Sequence, residues 1–218
     1  MNKILSALFA FFVLLSHSQA QNPKSFVEKS DPDAVKTLNK LRDKYKTYKS
    51  MRVDYSLLIE NGDEKETQQG KISQKGDKFR VINQSNEMIC DSKNVWLYTK
   101  KQNEVQITEF EPDSEELLSP SKMMSFYENE KKFICAITDR TAESESIEFK
   151  PLDKSAEYSK MRVKISKTKN EPQQIKVFMK DGSRYTLDIK KIENAEINDN
   201  FFIFDKSQYP NVRVTDLR

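Results

Sequence analysis

The sequence predicts a mainly β (α+β) protein: a single large curved antiparallel sheet forming an incomplete β-barrel, covered by an N-terminal helix and one or two short inserted lid helices. Three observations predict it. Apolar residues recur at every second position through most of the chain from Val53 onward. The links between these runs are short, and some carry hairpin dipeptides. One stripe at spacings of three and four precedes them all.

The helix comes first. Asp31-Pro32 offers an N-cap followed by proline at the first helical position. Ala34, Leu38, Leu41, Tyr45 and Tyr48 then fall on one face, with lysines and arginine opposite, over a helix expected to run to about Lys49.

The period then changes to two. Val53, Tyr55, Leu57 and Ile59 alternate with Asp54, Ser56, Leu58 and Glu60, and Asn61-Gly62 turns the chain. The alternation returns around Ile72 and in Phe79-Val81, Met88-Cys90, Trp96-Tyr98 and Val105-Ile107. Later come Phe133-Cys135-Ile137, Ile147-Phe149, Met161-Val163-Ile165, Ile175-Val177-Met179 and Tyr185-Leu187-Ile189, the last two joined by Asp181-Gly182. Short links imply antiparallel neighbours, so one continuous meander of about ten or eleven strands is expected.

One stretch does not alternate. Residues 109–132 carry two prolines and then helix-like spacings of Leu117, Leu118, Met123, Met124, Phe126 and Tyr127. Ser119-Pro120 again reads as a cap and start. Asp113, Glu115 and Glu116 suit the positive end of a helix dipole. This is the inserted lid.

A sheet of this many strands twists and curls. With one face apolar and the other charged, it is expected to wrap around its apolar side. The residues expected to line that side and its lid are Leu38, Tyr55, Leu57, Phe79, Val81, Met88, Trp96, Tyr98, Val105, Ile107, Leu118, Met123, Met124, Phe126, Phe133, Met161, Val163, Val177 and Met179. Periodicity alone is equally met by a sheet packed solidly on helices. The methionines tilt the choice towards a cavity, because a flexible, polarizable side chain can repack around varied apolar guests.

The first twenty residues read as a cleaved secretory signal: Lys3, an apolar stretch from Ile4 to Leu15, and Ser18-Gln19-Ala20 at the cut. The expected mature chain, residues 21–218, is one exported domain, expected to be a monomer. Without the signal, which carries Lys3 and His17, 36 Lys and Arg face 34 Asp and Glu. This near balance gives no footprint for nucleic acid. Cys90 and Cys135 could form a disulfide in an oxidising compartment, or serve as two small buried thiols. The intervening segments favour thiols, because they would separate the two across the sheet. His17 is the one histidine, and no phosphate loop, metal-ligand cluster or nucleophile elbow is present. No cofactor, metal or enzymatic activity is expected.

Four motifs in order then carry a resemblance across about residues 33–217. "DSKNVWLY" (91–98) is similar to a D-G-x-x-x-W-x-Y strand pair, with Ser92 where glycine is usual. "LLSP" (117–120) falls where an inserted lid begins, "KDGSRYTLDIKKI" (180–192) resembles a late D-G hairpin, and "FFIFDKSQYPNVRVTDLR" (201–218) resembles an F-x-F ending followed by Pro and Val. The chain resembles the LolA family of periplasmic lipoprotein carriers. That resemblance implies an apolar cavity for lipoprotein acyl chains, loading by an inner-membrane ABC transporter of LolCDE type, and delivery to an outer-membrane receptor of LolB type. One departure stands out. Where the family has Arg-Pro at the second hairpin, its arginine tying the lid shut, this chain reads Lys75-Gly76-Asp77. An ammonium lacks the bidentate fork, so Lys75 would be a weaker latch.

Overall fold

The computed structural model describes residues 29–111 and 132–218. Residues 1–28, which include the expected signal, and residues 112–131 lie outside them, and with them the expected lid residues Leu118, Met123, Met124 and Phe126.

Helix α1 (Pro32–Lys46) forms as its sequence dictates. Asp31 stays extended, and its carboxylate accepts from the Asp33 amide at 2.9 Å. Lys44 and Lys46 stand in the last turn, where the dipole is negative. Ala34, Leu38 and Leu41 are completely buried and Tyr45 nearly so. The helix stops at Lys46, short of the expected end, and Tyr48 packs edge-on against Tyr45 beyond it.

Twelve strands follow: β1 (Met51–Asn61), β2 (Glu64–Lys75), β3 (Lys78–Asn83), β4 (Asn86–Cys90), β5 (Asn94–Thr99), β6 (Glu104–Glu109), β7 (Phe133–Arg140), β8 (Ser144–Pro151), β9 (Tyr158–Ser166), β10 (Glu171–Met179), β11 (Arg184–Asn194) and β12 (Arg213–Asp216). They form one curved, open sheet in the order β12-β6-β5-β4-β3-β2-β1-β11-β10-β9-β8-β7. The expected single meander is corrected on two points. The sheet is two meanders, β1–β6 and β7–β11, joined where β1 pairs with β11 along most of its length. A short last strand also returns parallel to β6 and forms the edge. Neither feature leaves a local mark, because each is a pairing between segments distant in sequence.

The start of α1 also serves the opposite edge. The Asp31 amide donates to the Cys135 carbonyl at 2.8 Å, and the Cys135 amide donates to Ser30 Oγ at 3.2 Å. The chain entering the helix thus occupies edge groups of β7 that would otherwise be open to pairing. Lys44 fixes the other end of the helix, reaching Glu171 at 2.7 Å and the Lys169 carbonyl at 2.9 Å.

Register divides the side chains into two faces. Met51, Val53, Tyr55, Leu57 and Ile59 of β1 share the inner face with α1, in one apolar cluster. On the outer face, residues 197–212 pass over β3–β6 as two short 3-10 turns (Asp199–Phe202 and Lys206–Gln208). The outer face of β8–β11 carries no such cover among the described residues.

Candidate functional site: the inner face of the sheet

Three rows of side chains build the inner face. Ile59, Tyr185, Val177, Met161 and Phe149 are consecutive cross-strand neighbours, followed by Cys135. Leu57, Leu187, Ile175, Val163 and Ile147 form the next row, ending at Ile137. On the other half, Val53, Ile72, Val81, Met88 and Leu97 form the third. Ten predicted sheet residues meet here: Tyr55, Leu57, Phe79, Val81, Met88, Phe133, Met161, Val163, Val177 and Met179. Leu38 joins them from the helix. Sequence reasoning left out Val53, Ile72, Ile147, Phe149, Ile165, Ile175 and Leu187, which follow the same period of two and were legible by it.

Packing is uneven. Met161, Val163, Ile175, Val177 and Leu187 are sealed at 0% exposure, whereas Ile59, Met88, Val95, Phe110, Met179, Tyr185 and Ile189 are only partly buried against the cluster. Half-buried apolar side chains, contiguous with a sealed core, form a surface that a mobile apolar guest can extend. The face turns polar in one direction. The row through Tyr55 continues to Ile189 on the β11 side. On the other side it passes to Gly70 and Asn83, and past the β3–β4 turn Asn86, Thr99 and Glu104 are again consecutive neighbours. Cys90 and Cys135 are both buried on the inner face as thiols.

Trp96, Tyr98, Val105 and Ile107 are not part of this face, contrary to expectation. Met88 pairs with Leu97 and Cys90 with Val95, so Val95 and Leu97 point inward and Trp96 and Tyr98 outward. Val105 and Ile107 pair with Tyr98 and Trp96 and go with them. The reason is that β5 is apolar on both sides, because the C-terminal segment covers it. Phe204 stacks between Trp96 (6.1 Å) and Tyr209 (4.8 Å), and Tyr98 meets Tyr209 edge-on at 4.7 Å. The four consecutive apolar residues Val95–Tyr98 were the signal that both faces are covered, since a one-sided strand would alternate.

A buried polar clamp fixes that segment. Arg80 pairs with Glu87, donates to the Phe201 carbonyl at 3.1 Å and lies over the Phe201 ring at 4.8 Å. The Tyr209 hydroxyl donates to Glu87 at 2.9 Å. Burial, then the Glu87 carboxylate, push the Tyr209 phenol up to about 12. Lys75 belongs to this side too. Its ammonium pairs with Asp199 at 2.9 Å, and these bonds, with those from Lys78, hold the Asp199 carboxyl below its usual range. Its bonds therefore go to the outer-face segment.

An open polar cleft of about 540 Å³ lies where α1 meets the β7–β8 and β9–β10 hairpins. Its Arg140 is held by Asp33 and Glu145, each at 3.3 Å, and Glu145 accepts from Thr37. Those contacts attach the helix to the sheet.

The arrangement defines a class: an open half-barrel whose wrapped face offers apolar surface and whose outer face is polar or covered. The chain belongs to the outer membrane lipoprotein carrier protein LolA family, whose sequence model matches residues 46–205. Among solved structures, it resembles a conserved protein from Thermus thermophilus at 10% identity and TM-score 0.55, covering 84% of this chain and 99% of that one. A DUF1329 family protein from Desulfovibrio piger is 11% identical at TM-score 0.52, covering 83% and 99%. A LolA superfamily protein from Nitrosomonas europaea is 11% identical at TM-score 0.41, covering 78% and 97%. At such identities the first two show a shared fold. No curated protein sequence matches the chain.

Proposed function

We propose that this protein is a periplasmic carrier that shields the acyl chains of lipoproteins against its inner face and shuttles them from the inner to the outer membrane. The observation that carries this reading is the set of half-buried apolar side chains Ile59, Met88, Met179, Tyr185 and Ile189, spread over the inner face and each packed against the sealed core. Burying a methylene contributes about 0.8 kcal/mol, so an acyl chain of roughly fifteen methylenes costs on the order of 12 kcal/mol to expose. Cargo with two or three such chains does not cross water unaided. A carrier must cover them and still let go, which suits incompletely packed surface better than a deep, closed pocket.

The partners on this reading are a loading ABC transporter of LolCDE type in the inner membrane and a LolB-type receiver in the outer membrane. The protein acts by binding, with no covalent chemistry of its own. Family membership supports this reading, and the expected secretory signal in residues 1–20 agrees with export.

Binding of a fluorescent fatty-acyl probe tests the proposal. Met88→Asp and Met179→Asp should each weaken it about tenfold or more, since a carboxylate on the inner face would be desolvated by the chain. Trp96→Asp, on the outer face, should leave affinity within about twofold once folding is verified. Equal loss from all three variants, or from none, refutes the inner face as the cargo surface. Preference for a free lipid over a lipidated peptide would favour a related half-barrel module that binds another lipid, or an envelope sensor.

A further inference from the structure

The uncovered outer half of the sheet concentrates positive charge. Lys160, Arg162 and Lys164 of β9, Lys176 of β10 and Arg184 of β11 all point outward. Register makes Lys160 the neighbour of Phe178, Phe178 the neighbour of Arg184, and Arg162 the neighbour of Lys176. On the same strands and face Glu148 and Asp188 stand against them, and Asp188 is bonded to Gln174 at 2.8 Å. Glu148 is buried beneath two of the cations, Arg162 at 2.7 Å and Lys160 at 3.1 Å. Glu60 of β1 borders the patch, 4.0 Å from Lys176 and closer, at 3.2 Å, to Lys65. The net charge of the whole chain is only +3, so this face is a local excess rather than a share of a basic protein.

Two details show that fold stability alone does not explain the cluster. Arg162 opposite Lys176 is a like-charge cross-strand pair, which costs stability. Lys164 and Arg184 are exposed and form no ion pair among the described residues. In the middle sits Phe178, half-buried, with Lys160, Lys176 and Arg162 at 5.1, 5.6 and 5.8 Å from its ring.

We propose that this face of β8–β11 is a peripheral docking surface for anionic phospholipid headgroups. The strands are interior to the sheet, so no free backbone edge offers itself to an added peptide strand. Three of the five cations are lysines, which are depleted in protein interfaces. As mobile point charges they suit a fluid layer of phosphates. Phe178 supplies an aromatic ring at headgroup depth among snorkelling cationic stems. The surface lies on the opposite side of the sheet from the acyl-binding face, so it is tested independently of cargo.

Flotation of the purified full-length chain with vesicles measures it. Phosphatidylglycerol-containing vesicles should bind the protein and pure phosphatidylcholine vesicles should not, and added salt should release it. Lys164→Gln and Arg184→Gln should each lower the partition about fivefold and Phe178→Ser by a similar factor, with thermal unfolding and fatty-acyl probe binding unchanged. Equal binding to both vesicle types, binding to neither, or insensitivity to all three variants would overturn the proposal. Tighter, Arg184-dependent binding to polyglutamate than to the acidic vesicles would also overturn it and assign the face to an acidic polypeptide.

Discussion

Tyr55 and Gly70 are cross-strand partners on the inner face, and the Tyr55 phenol lies across the space that a side chain at Gly70 would fill. A Cβ built at Gly70 would stand 2.6 Å from the Tyr55 hydroxyl and 2.5 Å from the Ile82 carbonyl. The missing side chain lets an aromatic ring lie flat against β2 at the boundary where the inner face turns from apolar to polar. Gly70→Ala should therefore destabilise the protein by about 1–3 kcal/mol. Pairing it with Tyr55→Leu should give a cost below the sum of the two singles by at least about 0.5 kcal/mol, measured by urea unfolding. Strict additivity would contradict the contact.

Ser92 sits at φ +76° in the β4–β5 turn, where the resemblance placed a usual glycine. Asp91 holds the turn by accepting from the amides of Lys93 and Asn94, each at 2.8 Å. The left-handed backbone costs an L-residue about 1–2 kcal/mol, partly offset by the greater freedom glycine has when unfolded. Ser92→Gly should raise stability by about 0.5–1 kcal/mol, read as a higher urea midpoint at constant m-value. A loss would show that serine makes a compensating contact.

Tyr209 ties the C-terminal segment to Glu87. Tyr209→Phe leaves that buried carboxylate without one of its donors and should cost about 1–2 kcal/mol. A pH consequence follows. The folded phenol is raised to about 12 from an ordinary value of 10.0, so its stabilising contribution is complete below pH 10. It is lost as pH rises towards 12, because the unfolded chain releases the proton first. Stability followed across that alkaline window should fall more steeply in the native protein than in Tyr209→Phe. Parallel curves would contradict the clamp.

Asp31 has two tasks, capping α1 through the Asp33 amide and accepting from the Ile137 amide of β7 at 3.4 Å. Asp31→Ala should destabilise by about 1–2 kcal/mol, and Asp31→Asn, whose single carbonyl oxygen can still accept from one of the two amides, by less. Hydrogen exchange should quicken at Asp33 and Ile137 together in the alanine variant. Change at only one of them would separate the two roles.

Much of the inner face was legible because it obeys one simple period. Tyr55, Leu57, Val163 and Val177 each follow it, and the helix stripe Ala34–Leu38–Leu41–Tyr45 obeys the other. What escaped was long-range. Trp96 and Tyr98 looked inward because they are the largest apolar groups of their strand. Only the register with Met88 and Cys90, and the return of Phe204 and Tyr209 from far along the chain, turn them outward. The parallel edge strand β12 escaped for the same reason: its partner β6 is remote in sequence, and its own four residues carry a single strong apolar signal, Val214. The lysine and arginine of β9 and β10 read individually as a solvated face. Their concentration into one patch appears only when the strands are laid side by side.

What occupies the wrapped side of the sheet in the cell envelope decides whether this protein carries acyl chains. Native mass spectrometry of protein released gently from its native cells measures this directly. The expected spectrum contains an adduct of one lipidated polypeptide per chain, and that adduct is lost in Met88→Asp and Met179→Asp while persisting in Trp96→Asp. Repeated spectra of the bare chain, or an adduct indifferent to the two inner-face substitutions, would contradict it.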